Sequence, residues 1–205
     1  MPPGKFITLE GSEGAGKTTN IGYMQEYLKQ RGLSVVVTRE PGGTALGEAI
    51  RSLILADHHP VAEAELLLLF AARAQHVNQV IAPALQAGQW VISDRFTEAT
   101  HAYQGGGRGI DSAIIETLEH WVLGTLRPDL TLLLDMPLET SLMRIKNRTK
   151  DRFEREDRLF FERVRARYLS RAALSDGRIR VIDADRPLAE VQACIAAHLD
   201  EMISR

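Results

Sequence analysis

The 205-residue sequence holds one cysteine, Cys194, which excludes an internal disulfide and any zinc site built on clustered cysteines. Its neighbours in "VQACIAA" predict the apolar face of a helix, with Cys194 as core filler. Among six histidines there is no H-E-x-x-H or comparable ligand spacing, so no histidine metal site is expected. His58 and His59 fall in a predicted loop before Pro60, while His76 and His101 read as structural hydrogen-bonding groups. Positive charge is not in excess either: 25 Lys and Arg against 27 Asp and Glu give a net charge of -2, which argues against a bulk nucleic-acid partner. Long hydrophobic runs are also missing. The stretch "AEAELLLLFAARA" carries charges and is too short to span a bilayer, and "MPPGKFITLE" lacks the apolar core of a signal peptide. A soluble, cytoplasmic protein is expected, with one domain over residues 1–205 and no membrane partner.

What is present alternates between two periods. "KFITLE", "LSVVVT", "QWVISD", "LTLLLD" and "IRVID" are short apolar runs that predict five strands. Helical spacing marks residues 19–31, 44–56, 61–87, 110–126 and a last helix from Pro187. Strands alternating with helices predict a parallel sheet covered on both faces, a three-layer α/β/α domain. The exception is residues 144–158, "RIKNRTKDRFEREDR", dense in both charge signs, which read as a solvated helix or a short lid at about 144–157.

Two glycine-rich stretches raise the question of phosphate binding. In "GSEGAGKTT", Gly11, Gly16, Lys17 and Thr18 satisfy G-x-x-x-x-G-K-[ST] between a predicted strand and helix, the context this phosphate-binding loop requires. Backbone N–H groups of Gly11, Ser12, Glu13, Gly14, Ala15 and Gly16, with Thr19 opening the helix, can surround the phosphates of ATP. Lys17 reaches the terminal phosphates, and Thr18 offers a hydroxyl to Mg2+. A fold of the P-loop NTPase type follows, and the absence of an N-K-x-D element argues against a guanine-specific switch. The second stretch, "HAYQGGGRGI", has no strand and helix around it in that manner. Gly105, Gly106 and Gly107 are expected to turn the chain sharply, with Arg108 tethering the loop. Asp94 and Arg95 end a strand where ligands of open α/β sheets bind, suited to Mg2+ through water and to bidentate phosphate contact; a plain strand-end ion pair is the alternative. Phe70 and Arg73 share a helical face and suit stacking on a base and reading its edge, although the pair alone also fits core plus surface.

In order behind the P-loop, "TREPGGT", "FAARAQH", "DRF", "AYQGGGRG" and "RPDLTLLLD" resemble the bacterial thymidylate kinases, nucleoside monophosphate kinases, over essentially the whole chain. The resemblance implies transfer of the ATP γ-phosphate to dTMP in dTTP biosynthesis, with Mg2+, in a homodimer. By position it makes Phe70 the thymine stack, and Arg73 and Gln104 the readers of its edge. Thr100 lies near the base, Arg51 and Arg95 hold the acceptor phosphate, Glu13 lies near the 3′-hydroxyl, and Tyr103 crowds the 2′ position. Glu10 and Asp94 match acidic positions around the metal. Arg148 and Arg152 are the lid candidates for the donor's phosphates, beside Lys17 and Arg95 in catalysis, though the lid is short and lacks the family's usual glycine. A monophosphate, already largely dianionic at pH 7, needs no general base, and no H-R-D catalytic loop is present. The alternatives are another (deoxy)nucleoside monophosphate, a deoxynucleoside with Asp94 or Glu13 as base, or an ATP-binding module without turnover.

Overall fold

A computed structural model describes residues 4–56, 60–146 and 152–204. Five parallel strands form one sheet: β1 (Phe6–Gly11), β2 (Val35–Arg39), β3 (Trp90–Asp94), β4 (Leu130–Asp135) and β5 (Ile179–Asp183), in spatial order β2-β3-β1-β4-β5. The central strand, β1, is buried at every position, as its continuous apolar run requires of a strand covered on both faces. Leu9 of β1 pairs with Asp94 of β3, so the chain leaves both strands side by side at the carboxyl edge. Thr8 and Thr131, buried on neighbouring strands, satisfy one another through their hydroxyls at 2.8 Å.

Alternate residues of β1 feed opposite layers. Ile7 and Leu9 join the core under α1 (Lys17–Lys29) and α9 (Leu188–Ile203), through Met24, Leu28, Ile195 and Leu199. Phe6 faces the other layer, packing edge-on against Phe96 at 5.0 Å. That layer holds α2 (Ala45–Leu55) and α3 (Ala62–His76), which runs through a π-helical segment (Val77–Ile81) into α4 (Ala82–Gln86), close to the single stretch read from sequence. It also holds α5 (Thr97–Thr100) and α6 (Ser112–Leu123). Besides the short α5, two helices stand outside the sequence expectation: α7 (Leu138–Ile145) and α8 (Arg158–Ala173), the latter capped by Asp157, whose carboxylate accepts from the Phe160 N–H at 2.7 Å.

Two expectations are corrected. Cys194 is exposed rather than core filler. The buried stripe of α9 is Val191, Ile195 and Leu199, and Cys194 lies one residue off it, about 100° around the helix. Residues His101–Gly107 do not turn sharply; they continue α5 as a π-helical segment packed on α8. None of Gly105, Gly106 and Gly107 has a positive φ. Their glycines serve close approach instead. A Cβ on Gly107 would stand 2.6 Å from Phe160 Cζ, and one on Gly106 would stand 2.9 Å from the Arg163 carbonyl oxygen.

Gly107→Ala should therefore destabilise the domain by about 1–3 kcal/mol, because the Phe160 ring it displaces is itself buried. The same change at Gly22, exposed within α1 with open space around it, should stabilise by about 0.5–1 kcal/mol. Thermal melts of the two variants check the opposite signs.

Candidate active site

The P-loop links β1 to α1 at the centre of the sheet. Gly16 caps α1 in a left-handed conformation, φ 88°, which lets the loop turn its amides inward before the helix begins. Lys17 is buried, and its ammonium donates to the carbonyls of Gly11 and Ser12 at 3.0 Å each. Burial, and then the neighbouring Arg95 charge, push its pKa down. Thr18 and Thr19 lie exposed on the first turn of α1. Thr18 and Asp94 line one cavity beside the loop, and Asp94 Oδ1 is buried with no hydrogen-bond partner among the described residues. A hydroxyl and an unspent carboxylate oxygen beside a phosphate loop are the donors that Mg2+ takes, its remaining positions going to water and phosphate. Among the described residues no group of three or more His, Cys, Asp or Glu could hold a metal by itself.

Glu10 does not join that set. It is fully buried on the acceptor-facing layer, accepting from the Phe96 N–H at 2.8 Å and the Tyr168 hydroxyl at 3.0 Å. Burial pushes its pKa up to about 7, with the Arg95 guanidinium opposing.

Arg95 connects the P-loop to a second cavity. Its backbone is left-handed, φ 70°, a conformation that costs a non-glycine residue on the order of 1–3 kcal/mol and aims the side chain back across the sheet edge. Nη1 donates to the Gly11 carbonyl at 2.9 Å and to the Tyr168 hydroxyl at 3.1 Å. Nη2 pairs with Glu13 and donates to the Tyr103 hydroxyl at 3.2 Å. Burial alone would raise the Glu13 pKa, but Arg95, with Lys17 behind it, holds the carboxyl down at about 2. Burial, first of all, pushes the Tyr103 phenol well up, so it stays neutral.

The second cavity is walled by Glu13, Arg51, Arg73, Arg95, Thr100, Tyr103 and Gln104, seven of the eight acceptor residues expected from sequence. Arg51 donates to the Pro41 carbonyl at 3.1 Å. Arg73 is buried and held on three sides, by Glu40 at 2.7 Å, the Phe96 carbonyl at 3.1 Å and the Thr100 hydroxyl at 2.9 Å. Its remaining nitrogen, Nη1, has no hydrogen-bond partner among the described residues. Phe70 is the eighth, and it does not line the cavity. Its ring sits among Leu66 and Ile115, with the Arg73 guanidinium 4.8 Å above it. The shared helical face is there, but it places the ring beneath the guanidinium.

Arg152 also departs from expectation. Its guanidinium is buried against Glu65, whose other oxygen holds Gln104 of the second cavity, whereas the lid reading puts it over the donor's phosphates. Phe153, next to it, lines the cavity edge-on to Tyr103 at 5.8 Å. Arg148, His58 and His59 lie outside the described residues. Arg108 does tether its loop, to Glu156 at 2.7 Å and Glu65 at 3.5 Å. His76 and His101 have structural partners: His76 bridges Thr38 (2.6 Å) and Glu40 (2.9 Å), and His101 meets Glu119 at 3.0 Å.

The profile of the family described as "Thymidylate kinase" matches residues 9–195. The chain belongs to the thymidylate kinase family. It is 58% identical to the thymidylate kinase of Methylococcus capsulatus over 205 residues, covering all of this chain and 99% of that one. Identity is also 58% to that of Chromohalobacter salexigens, over 209 residues, with 100% and 99% covered. The crystal structure of thymidylate kinase from Ehrlichia chaffeensis superposes with a TM-score of 0.79 at 34% identity, over 97% of this chain and 99% of that one. The P-loop NTPase-like α/β fold expected of the sequence is thus the fold of this chain.

Several residues around the site were not singled out from sequence: Glu40, which holds Arg73 and His76; Tyr168, which joins Arg95 to Glu10; Glu65; and Phe153. Glu40 sits inside "TREPGGT", and that motif was the available signal. The others lie on helices or in the lid stretch, where spacing alone reads them as ordinary.

The Glu13–Arg95 pair predicts an acid limb. A carboxyl at about 2 in the folded chain, against 4.5 unfolded, adds stability that is present above pH 4.5 and lost as pH falls from 4.5 toward 2. Glu13→Gln should cost about 2 kcal/mol at pH 7, allowing for solvent screening at this partly open site, and the gap to wild type should close below pH 4.5. Urea denaturation at several pH values measures it.

Proposed function

We propose that this chain transfers the γ-phosphoryl group of ATP to dTMP, giving dTDP and ADP, with Mg2+ that Thr18 and Asp94 would hold. The carrying observation is one cavity that gathers the guanidiniums of Arg51, Arg73 and Arg95 with the P-loop residue Glu13, which Arg95 pairs. The family supplies the substrates that such a cavity receives.

In this reading, the P-loop amides and Lys17 take the donor's β- and γ-phosphates, and Lys17 exchanges its two loop carbonyls for phosphate oxygens. Arg95 and Arg51 hold the acceptor phosphate and neutralise its approach to the γ-phosphate. When bound, Mg2+ supplies charge neutralisation and alignment of the donor phosphates. The acceptor oxygen is already ionised near pH 7, because a phosphate monoester's second pKa is about 6, so positioning replaces proton abstraction. Tyr103 lines the cavity, and crowding of a ribose 2′-hydroxyl against its ring would favour deoxyribose. Arg73 Nη1, a buried donor without a partner among the described residues, suits a base carbonyl. Arg152 can reach the donor only by leaving Glu65, so the lid's catalytic arginine is assigned to Arg148 first.

The same reading places the chain in the cytoplasm, where dTMP and ATP are found; among the described residues no helix is long and apolar enough to cross a membrane. A homodimer is proposed through α3 and α6, where Leu67 and Ile114 are exposed apolar side chains lining a groove and Trp121, also on α6, is exposed.

Coupled ADP-release assays across deoxynucleosides and monophosphates test the reaction. dTMP-dependent release that stops on chelation of Mg2+ is expected, and a marked preference for a deoxynucleoside would overturn the assignment. Arg73→Ala should raise KM for dTMP by about 10–100-fold, the loss of one charge-assisted hydrogen bond. Lys17→Ala should instead lower kcat by about 100-fold or more, since its contact strengthens as charge moves. Equal effects of both variants on KM would show the base pocket to be misplaced.

A further inference from the structure

Glu65, on α3, is a carboxylate with no solvent exposure that meets Gln104, a residue lining the acceptor cavity. One oxygen, Oε1, accepts from Gln104 Nε2 at 2.7 Å and lies 3.5 Å from Arg108 Nε; the other, Oε2, pairs with Arg152. Two guanidiniums therefore balance its charge in a place where an isolated carboxylate would be driven to protonate. An ionised carboxylate only accepts hydrogen bonds. The Gln104 amide thus has one allowed orientation. Turning it over would set its carbonyl oxygen against the Glu65 carboxylate, two acceptors with no proton between them.

We propose that Glu65 determines base specificity as a positioning residue: by holding the nitrogen of the Gln104 amide, it commits the carbonyl oxygen to the cavity. The inference rests on the acceptor reading above. Gln104 and Arg73 both line the cavity, the first then offering an acceptor and the second, through Nη1, a donor. That pair complements a pyrimidine whose ring N–H adjoins a carbonyl, as in thymine. Cytosine presents the inverse, a bare ring nitrogen beside an amino group, and meets acceptor with donor reversed. Discrimination between the two bases would follow from a carboxylate that touches neither.

The test is the ratio of kcat/KM for dTMP to that for dCMP. In Glu65→Gln, residue 65 can donate as well as accept, so Gln104 is free to take either orientation. The ratio should fall about tenfold or more, through a rise in KM for dTMP and a gain with dCMP. A residue that only supports the fold would lower both activities together and leave the ratio unchanged, which would overturn the proposal. Should Glu65→Gln not fold, Gln104→Met removes the oriented amide directly. The ratio must fall there as well, and an unchanged ratio in that variant refutes the inference. If the wild-type chain releases no ADP with dTMP, the acceptor assignment itself fails, and this inference with it. Wild-type activity with an unaltered ratio in the variants sinks the inference alone.

Discussion

The architecture turns on the guanidinium of Arg95. It leaves a strained backbone at the end of β3 and crosses to the carbonyl of Gly11, where the P-loop begins, while its other nitrogen holds Glu13 and Tyr103. Donor loop and acceptor cavity thereby share one charge. A phosphoryl transfer needs two anionic groups brought within bonding distance, and their repulsion is the obstacle. In the proposed reaction, a cation seated between the two pockets, at the edge of a sheet, would lower that repulsion without any motion at the moment of reaction.

Holding a guanidinium in that place requires support from behind. Tyr168 of α8 accepts from Arg95 and donates to Glu10, and Glu10 in turn receives the Phe96 amide. The close packing of His101–Gly107 on α8 serves the same end. Gly106 and Gly107 let the π-helical segment approach until Tyr103 meets Tyr168 edge-on at 6.4 Å. With larger residues the two layers would separate, and the phenols would no longer flank the arginine. A glycine run that looks like a loop for phosphate is thus a packing surface whose effect is felt at the phosphate site.

The parts legible in sequence were those with local causes. The P-loop is specified by Gly11, Gly16, Lys17 and Thr18 between a strand and a helix, and the strands by unbroken apolar runs, because both faces of the sheet are covered. Gln104 and Tyr103 could be placed only through the resemblance, which also decided between the two readings that spacing left open for Arg73, and the cavity does gather all three. The remainder depends on partners distant in the chain. Glu65 looks like a polar position on an amphipathic helix, and its burial becomes sensible only once Gln104, Arg108 and Arg152 converge on it. Phe70 shares a face with Arg73 as its spacing requires, yet spacing cannot say which of the two faces the cavity. Cys194 shows the same limit: periodicity located the stripe on α9 but not the edge of that stripe.

Among the described residues, the cations assigned to phosphate each have a carbonyl or carboxylate to hold: Lys17 its own loop, Arg95 Gly11 and Glu13, Arg51 the Pro41 carbonyl. Leaving such groups unpaired and buried would cost several kcal/mol each, more than a marginally stable domain tolerates. Binding is therefore an exchange of partners, and its selectivity comes from comparing new contacts with old ones. A dianionic phosphate offers several oxygens and a full charge, which outcompetes a neutral carbonyl. A neutral hydroxyl group does not. The internal contacts of these cations thus also set the threshold that an acceptor must pass, and on the proposed reaction a phosphate passes it more readily than a hydroxyl.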